Sequence, residues 1–295
     1  VIRTVYYIVG PDFLRGTWVQ YGWMTLALIT VFMGSLLAYR EPVLKKRLAY
    51  STVSQISYIL FGLSLLTPDA MTGALLHTAA HAFIKCGLFL TAGIFLYQFG
   101  YTRVAQLDGM GKRMPRTMWC YTIFAMALIG IPLTGGFISK WYLAQGALRS
   151  GIEVYSWLGP VVLLVSALLT AGYLLPVTMK GFFPGDAAAA PAANGGAETV
   201  RSEKADDGTE VSREREMSSG AASLAVGSAH REKVPTAVGT AQREKVSAAM
   251  EAGRRKEPAL AMLLPLVILA ALAVLAGVFP GALIQYASEI ATSVL

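Results

Sequence analysis

The sequence predicts an all-α, polytopic transmembrane helical bundle, and three observations carry that reading. Hydrophobic residues make up 55% of the 295-residue chain and charged residues only 15%, with a mean hydropathy of +0.52, a balance far from that of a water-soluble domain. Apolar stretches of about 20 residues, the length that crosses a bilayer, recur along the chain. Lys and Arg cluster in alternate connections between them, as short cytoplasmic loops do.

Taken in order, Val1 to Val9 reads as the tail of a preceding span. About six full spans follow: Val19 to Ala38, Leu48 to Leu66, Met71 to Phe99, Met118 to Leu148, Trp157 to Phe183 and Ala259 to Phe279. The fourth is expected to be one broken helix. Pro132 has no N–H to offer the carbonyl of Leu128, and Gly130, Gly135 and Gly136 make unwinding easy. Thr134 and Ser139 are candidates to bond the backbone groups that such a break frees. The chain opens inside an apolar segment without a starting Met or signal peptide, and so reads as part of a longer polypeptide.

Arg40, Lys45, Lys46 and Arg47 mark one connection; Arg103, Lys112, Arg113 and Arg116 mark another two spans later, and Lys180 a third. The connections around Asp12 and Arg15, Thr67 to Ala70, and Arg149 to Glu153 carry few positive charges. This alternation predicts a multi-pass protein of the cell membrane with its C-terminus external. The net charge of +7 is then topological and calls for no nucleic-acid partner.

Three regions are expected: transmembrane helices in 1–185, an insertion in 186–257, and a final transmembrane helix with a short tail in 258–295. The insertion consists mainly of Ala, Gly, Ser, Glu, Lys and Arg, and cannot bury enough surface to order itself. Arg231-Glu232-Lys233-Val234 recurs as Arg243-Glu244-Lys245-Val246, which suggests local duplication. A disordered cytoplasmic tether is expected there. Its near-balanced charge argues against a polybasic lipid patch.

Lys85 and Lys140 are the most informative residues, because each lies within an apolar segment that contains no Asp or Glu. An ionisable group at membrane depth marks a functional site by default. Two such bases without a local acid point to groups that gain and lose protons. His77, His81 and Lys85 are spaced four apart, so on a helix they form one stripe about 12 Å long. Three readings of the stripe stay open: a metal site, a polar stripe bonding neighbouring helices, and a proton path. HxxxH spacing suits a metal only with a third ligand, and the intervening Thr78, Ala79 and Ala80 supply no glutamate. Histidine favours the proton path, since it both accepts and donates a proton near neutral pH. For Lys140, a simple kink with the side chain snorkelling to an interface competes with a site at a discontinuous helix. Its position about two-thirds along the span, before Trp141, Tyr142 and Leu143, favours the latter.

Cys86 and Cys120 read as small core-packing residues. The sequence has no CxxC, zinc-spaced Cys/His cluster, phosphate-binding glycine loop or nucleophile elbow. No haem, iron–sulfur, nucleotide or metal cofactor is expected, and no catalytic centre.

Three ordered motifs carry a family resemblance: KRLAYSTVSQ from Lys46 to Gln55, HTAAHAFIKCGLFLTAG from His77, and IGIPLTGGFISKWYL from Ile129. They resemble the second half of the antiporter-like proton-channel subunits of respiratory complex I, membrane-bound hydrogenases and multisubunit cation/proton antiporters. The resemblance implies a family fold of about fourteen helices in two inverted repeats, each with one broken helix. This chain would supply the last six helices and most of the second inverted repeat. By motif, Lys85 resembles the central lysine of the connecting path, His77 and His81 its relay, and Lys140 the terminal lysine of the second broken helix. Pro132, Gly135 and Gly136 form the helix break. The first repeat's glutamate and lysine have no counterpart here. Lys140 is followed by Trp141 instead of an acidic residue, and no long lateral helix follows the last span. In both features the chain resembles the D-type component of the multisubunit cation/proton antiporters, or the related hydrogenase components. The insertion departs from the short connection of the family.

Two functions follow. One is a subunit that moves protons through buried Lys, His and water, driven by sodium or potassium exchange or by redox subunits of a shared complex such as an NADH:quinone oxidoreductase or hydrogenase. The other is a structural membrane scaffold whose lysines pair with partner helices or lipid headgroups. Expected partners are other membrane subunits, protons, possible sodium or potassium, and the lipid bilayer.

Overall fold

The computed structural model describes residues 1–183 and 257–295, and helix is the dominant structure throughout them. The insertion expected at 186–257 lies outside the described residues except for Glu257. The main helices are α1 (Trp18–Arg40), α2 (Leu44–Ser64), α3 (Pro68–Phe99), α4 (Pro115–Ile129), α5 (Gly135–Leu148), α6 (Glu153–Phe182), α7 (Leu260–Val278) and α8 (Gly281–Val294). Four of them, α1, α3, α6 and α7, are long and apolar enough to cross a membrane. The 21 residues of α2 suffice for a span of about 30 Å. Its Lys45, Lys46 and Arg47 and its run of Ser and Gln side chains dilute its apolar character. The expected fourth span is two short half-helices, α4 and α5, joined by 130–134.

The helix ends follow from local chemistry. Thr17 and Thr67 accept hydrogen bonds from the backbone N–H groups of Gln20 and Ala70, capping α1 and α3. Pro68 and Pro115 sit at the first helical positions, where the missing N–H costs nothing. Helix α4 has no cap of its own. Glu257, reaching from the far side of the insertion, accepts from the Arg116 backbone N–H at 2.6 Å and from the Thr117 hydroxyl at 3.2 Å. A carboxylate there also complements the positive end of the helix dipole.

Helix α3 is the hub and packs against α2, α4, α5, α7 and α8. Its contact with α5 is close because small residues face each other. A Cβ on Gly73 would lie 2.6 Å from the Leu143 nitrogen, and one on Gly146 would lie 2.4 Å from the Ala70 nitrogen. Helices α1, α2 and α6 are tied by three buried hydroxyls: Ser35 Oγ lies 2.8 Å from Ser54 Oγ and 2.5 Å from Ser166 Oγ.

Three differences from the sequence reading emerge. Residues 3–9 form a seven-residue π-helical segment, anchored by Tyr6, whose hydroxyl donates to the Leu63 carbonyl at 2.6 Å. The short tail after the last span is the helix α8, which rests on α3 and buries Ala287 and Ala291. Cys120 is buried, whereas Cys86 is exposed on the opposite face of α3 from the core.

Candidate functional site

The break between α4 and α5 runs from Gly130 to Thr134, and Gly135, the first residue of α5, packs against Ala276 of α7 and Ala80 of α3. Pro132 leaves the Leu128 carbonyl without its helical donor. Gly130 turns the chain with φ 93° and Leu133 with φ 74°, both in the left-handed region that ordinary side chains avoid. Gly136 lets α5 approach the end of α4: a Cβ there would sit 1.9 Å from the Ala127 carbonyl oxygen. Thr134 donates to the Ile131 carbonyl within the break at 2.7 Å, as expected, whereas Ser139 donates to the Gly136 carbonyl of its own helix at 3.0 Å and not to a group freed by the break.

Lys140 occupies this opening. Its Nζ donates to the Leu128 carbonyl at 2.6 Å and the Ile129 carbonyl at 2.9 Å. These are two of the acceptors released where the α4 ladder stops. The ammonium also lies 5.3 Å from the centre of the Tyr58 ring, within cation–π range. The side chain bends back into the bundle and does not snorkel outward.

Lys85 is held differently, on unbroken helices. Its Nζ donates to the Leu48 carbonyl at 3.0 Å and to Ser51 Oγ at 2.7 Å, both on α2. The Tyr173 hydroxyl of α6 donates to the same Ser51 oxygen at 2.6 Å. Above Tyr173, the buried Arg47 donates to the Tyr173 carbonyl at 2.9 Å and to the Glu41 carbonyl at 2.8 Å. A run of polar groups therefore leads from the charged end of α2 to Lys85.

His77 and His81 lie between the two lysines. Their rings stack at 6.2 Å, and His77 stacks on Tyr58 at 5.5 Å. His77 Nδ1 is 2.9 Å from Ser139 Oγ, and Nε2 is 3.0 Å from Gln55 Oε1. His81 is half-buried, and its enclosed Nε2 has no hydrogen-bond partner among the described residues. The structure thus brings Lys85, His81, His77 and Lys140 into one internal seam bounded by α2, α3, α4, α5 and α6.

Sequence reading places Lys85, His77, His81, Lys140, Pro132, Gly135 and Gly136 in the site but assigns no role to Gln55, Tyr58, Ser51 or Tyr173. Ser51 and Gln55 sit in the first of the three motifs, and with Tyr58 they share a helix face at i, i+4 and i+7. That spacing is the signal through which they could be found. Both His77 ring nitrogens are already engaged by side chains. Among the described residues there is no group of three or more His, Cys, Asp or Glu placed to hold a metal ion. Nor does any carboxylate there pair with Lys85 or Lys140; the ion pair found joins Arg149 and Asp69 at 3.2 Å.

Comparison with known proteins shows the family and the fold. The sequence family described as NADH:quinone oxidoreductase/Mrp antiporter, TM, matches residues 4–182. NADH-quinone oxidoreductase subunit N of Desulforudis audaxviator is 42% identical over 164 residues, which cover 56% of this chain and 32% of the relative. The F(420)H(2) dehydrogenase subunit N of Methanosarcina mazei is 33% identical over 187 residues, 60% of this chain and 37% of the relative. The chain therefore spans about a third of the length of these curated relatives. In fold it is similar to a chain of the Mrp complex from Dietzia sp., with a TM-score of 0.69 at 24% identity, over 99% of this chain and 50% of that one. It is also similar to a chain of respiratory complex I from Thermus thermophilus, with a TM-score of 0.65 at 19% identity, over 100% and 49%.

Proposed function

Because this chain belongs to the NADH:quinone oxidoreductase/Mrp antiporter transmembrane family, we propose that it forms part of a proton-conducting subunit of a larger membrane complex. Lys85 is the central carrier, His81 and His77 the relay, and Lys140 the terminal carrier, with water filling the gaps. Pro132, Gly135 and Gly136 shape the break that houses Lys140. The observation that carries this reading is the inward orientation of both ammonium groups. Each is held by oxygens of its own chain, with the two histidines in between.

The scaffold reading needs lysines committed to lipid or to a fixed partner carboxylate, and the inward contacts speak against it. Neutral acceptors stabilise an ammonium without fixing its proton in an ion pair, which suits a group that exchanges protons. The drive would come from sodium or potassium exchange or from redox subunits of the same complex. The alternation of basic connections supports a cytoplasmic 186–257 insertion and an external C-terminus in the cell membrane.

The test is proton uptake by vesicles that hold the host complex, read with a pH-sensitive dye. Lys140→Ala is expected to abolish or strongly reduce uptake while the subunit still inserts. Lys140→Arg is expected to fail as well, because a guanidinium does not deprotonate in proteins. Parental rates in either variant would remove Lys140 as a carrier.

A further inference from the structure

We propose that Gln55 and Ser139 are positioning residues that keep His77 fully hydrogen-bonded as it gains and loses a proton, and that confine this exchange to Nδ1, on the side of the helix that carries Lys140. The proposal rests on the proton-conduction reading above and adds to it which ring nitrogen of His77 gains and loses the proton.

The argument follows from which partner can reverse its role. A hydroxyl donates one hydrogen bond and accepts others, and turns freely about its C–O bond. An amide offers an acceptor on one side and a donor on the other, so reversing it requires turning the whole group over. Ser139 Oγ faces Nδ1 at 2.9 Å and has a second acceptor available in the Gly136 carbonyl at 3.0 Å. Gln55 faces Nε2 with its oxygen at 3.0 Å, while its buried amide nitrogen has no partner among the described residues.

With both ring nitrogens protonated, Nδ1–H donates to Ser139 Oγ while the Ser139 hydroxyl donates to Gly136, and Nε2–H donates to Gln55 Oε1. Every observed contact is satisfied. Loss of the Nδ1 proton leaves a neutral ring with Nε2–H still held by Gln55. The Ser139 hydroxyl then swings from Gly136 to donate to Nδ1, and the Gly136 carbonyl remains in the helical ladder of α5. Loss of the Nε2 proton instead leaves a lone pair facing the Gln55 oxygen. That repulsion is relieved only by turning the amide within a fully buried site, where Gln55 is 0% exposed. The two exits are therefore unequal. The Nδ1 exit needs one hydroxyl rotation, and its proton is exchanged in both directions with water or base on the α5 side. Gln55 acts as a latch on the other nitrogen.

The experiment uses the full-length subunit in lipid, labelled with 15N-histidine. His77 signals are assigned by their loss in His77→Asn, and protonated and unprotonated ring nitrogens are told apart by chemical shift. In the parent, neutral His77 is expected to carry its proton on Nε2. Gln55→Leu removes that acceptor and should move the proton to Nδ1, whereas Ser139→Ala should leave it on Nε2. Both variants should slow proton uptake about tenfold, the scale of one lost hydrogen bond in a rate. Ser139→Thr, which keeps a hydroxyl, should stay within about twofold of the parent, as conservation of the bond requires. A neutral His77 protonated on Nδ1 in the parent, or an unchanged proton position in Gln55→Leu, would overturn the proposal. So would parental uptake in Ser139→Ala. Because the nitrogen spectra do not depend on transport, they would stand even if Lys140→Ala pumped normally and the conduction reading fell.

Discussion

The two inward-facing lysines, Lys85 buried and Lys140 partly buried, show two ways of housing an ammonium in a bundle that supplies neither with a carboxylate among the described residues. Lys140 is solvated by a defect: α4 ends at the left-handed Gly130, Pro132 offers no N–H to the Leu128 carbonyl, and the Leu128 and Ile129 carbonyls bond Nζ. Lys85 borrows from an intact helix. The Leu48 carbonyl that it uses already accepts from the Thr52 hydroxyl at 2.9 Å, and the second partner is a hydroxyl shared with Tyr173. A stranded carbonyl gains a partner by binding Lys140, while a ladder carbonyl only divides its lone pairs. The broken helix is thus the better cation site, and the intact one the more easily vacated. That ordering suits the proposed passage of protons from Lys85 to Lys140.

The sharpest way to break the comparison is to close the defect by force. At Gly136 an added methyl would meet the Ala127 carbonyl at 1.9 Å, and backbone has little room to give. Gly136→Ala is expected to destabilise the subunit by about 1–3 kcal/mol or more, the cost of overpacking. Thermal unfolding of the purified complex, or loss of assembled subunit, would register it. A variant with parental stability would mean that α4 and α5 are not held this closely.

A milder change tests the origin of the Lys140 partners. Pro132→Ala restores an N–H that competes for the Leu128 carbonyl. Assembly should persist, while proton uptake falls about tenfold or more, as expected when a charge-assisted bond is lost. On the other side of the comparison, Ser51→Ala leaves Lys85 with the shared Leu48 carbonyl alone and unlinks Tyr173. Uptake should fall about threefold to tenfold, the effect of an ordinary hydroxyl bond. If Ser51→Ala were more damaging than Pro132→Ala, the ranking of the two sites would reverse.

Much of this is legible in the sequence, and the reasons differ by element. The spans announce themselves by length and apolar content, and the break by Pro132 with Gly135 and Gly136, because these are backbone rules that hold in any surroundings. The lysines and histidines stand out because charge in an apolar run is costly. Gln55, Tyr58 and Tyr173 do not stand out. A lone Gln or Tyr in a helix reads as neutral until another helix brings its partner, and the Tyr173–Ser51 contact joins residues 122 apart in sequence. Helix α8 escapes notice for another reason. It has Leu283, Ile284, Ala287, Ile290, Ala291 and Val294 at helical spacing, but a scan for long apolar runs is blind to an amphipathic helix.

The smallest effect is expected at the opposite end of α4 from the break. There the helix start depends on Glu257, which accepts from the Arg116 N–H and the Thr117 hydroxyl across the insertion. Deleting 187–254 retains Glu257 and removes only sequence whose composition cannot build a core, so assembly and transport should be largely unchanged. Glu257→Ala keeps the insertion but leaves α4 uncapped, and should cost about 1 kcal/mol, the usual value of an N-cap. Glu257→Gln retains an acceptor oxygen and should cost less, the remainder being its charge against the helix dipole. Proton uptake should stay near the parental rate in all three, because the cap and the Lys140 opening lie at opposite ends of one helix. If Glu257→Ala lowered uptake as much as Pro132→Ala, the break would be sensing the whole of α4, and Lys140 would be held by the helix's position as much as by the carbonyls that Pro132 strands.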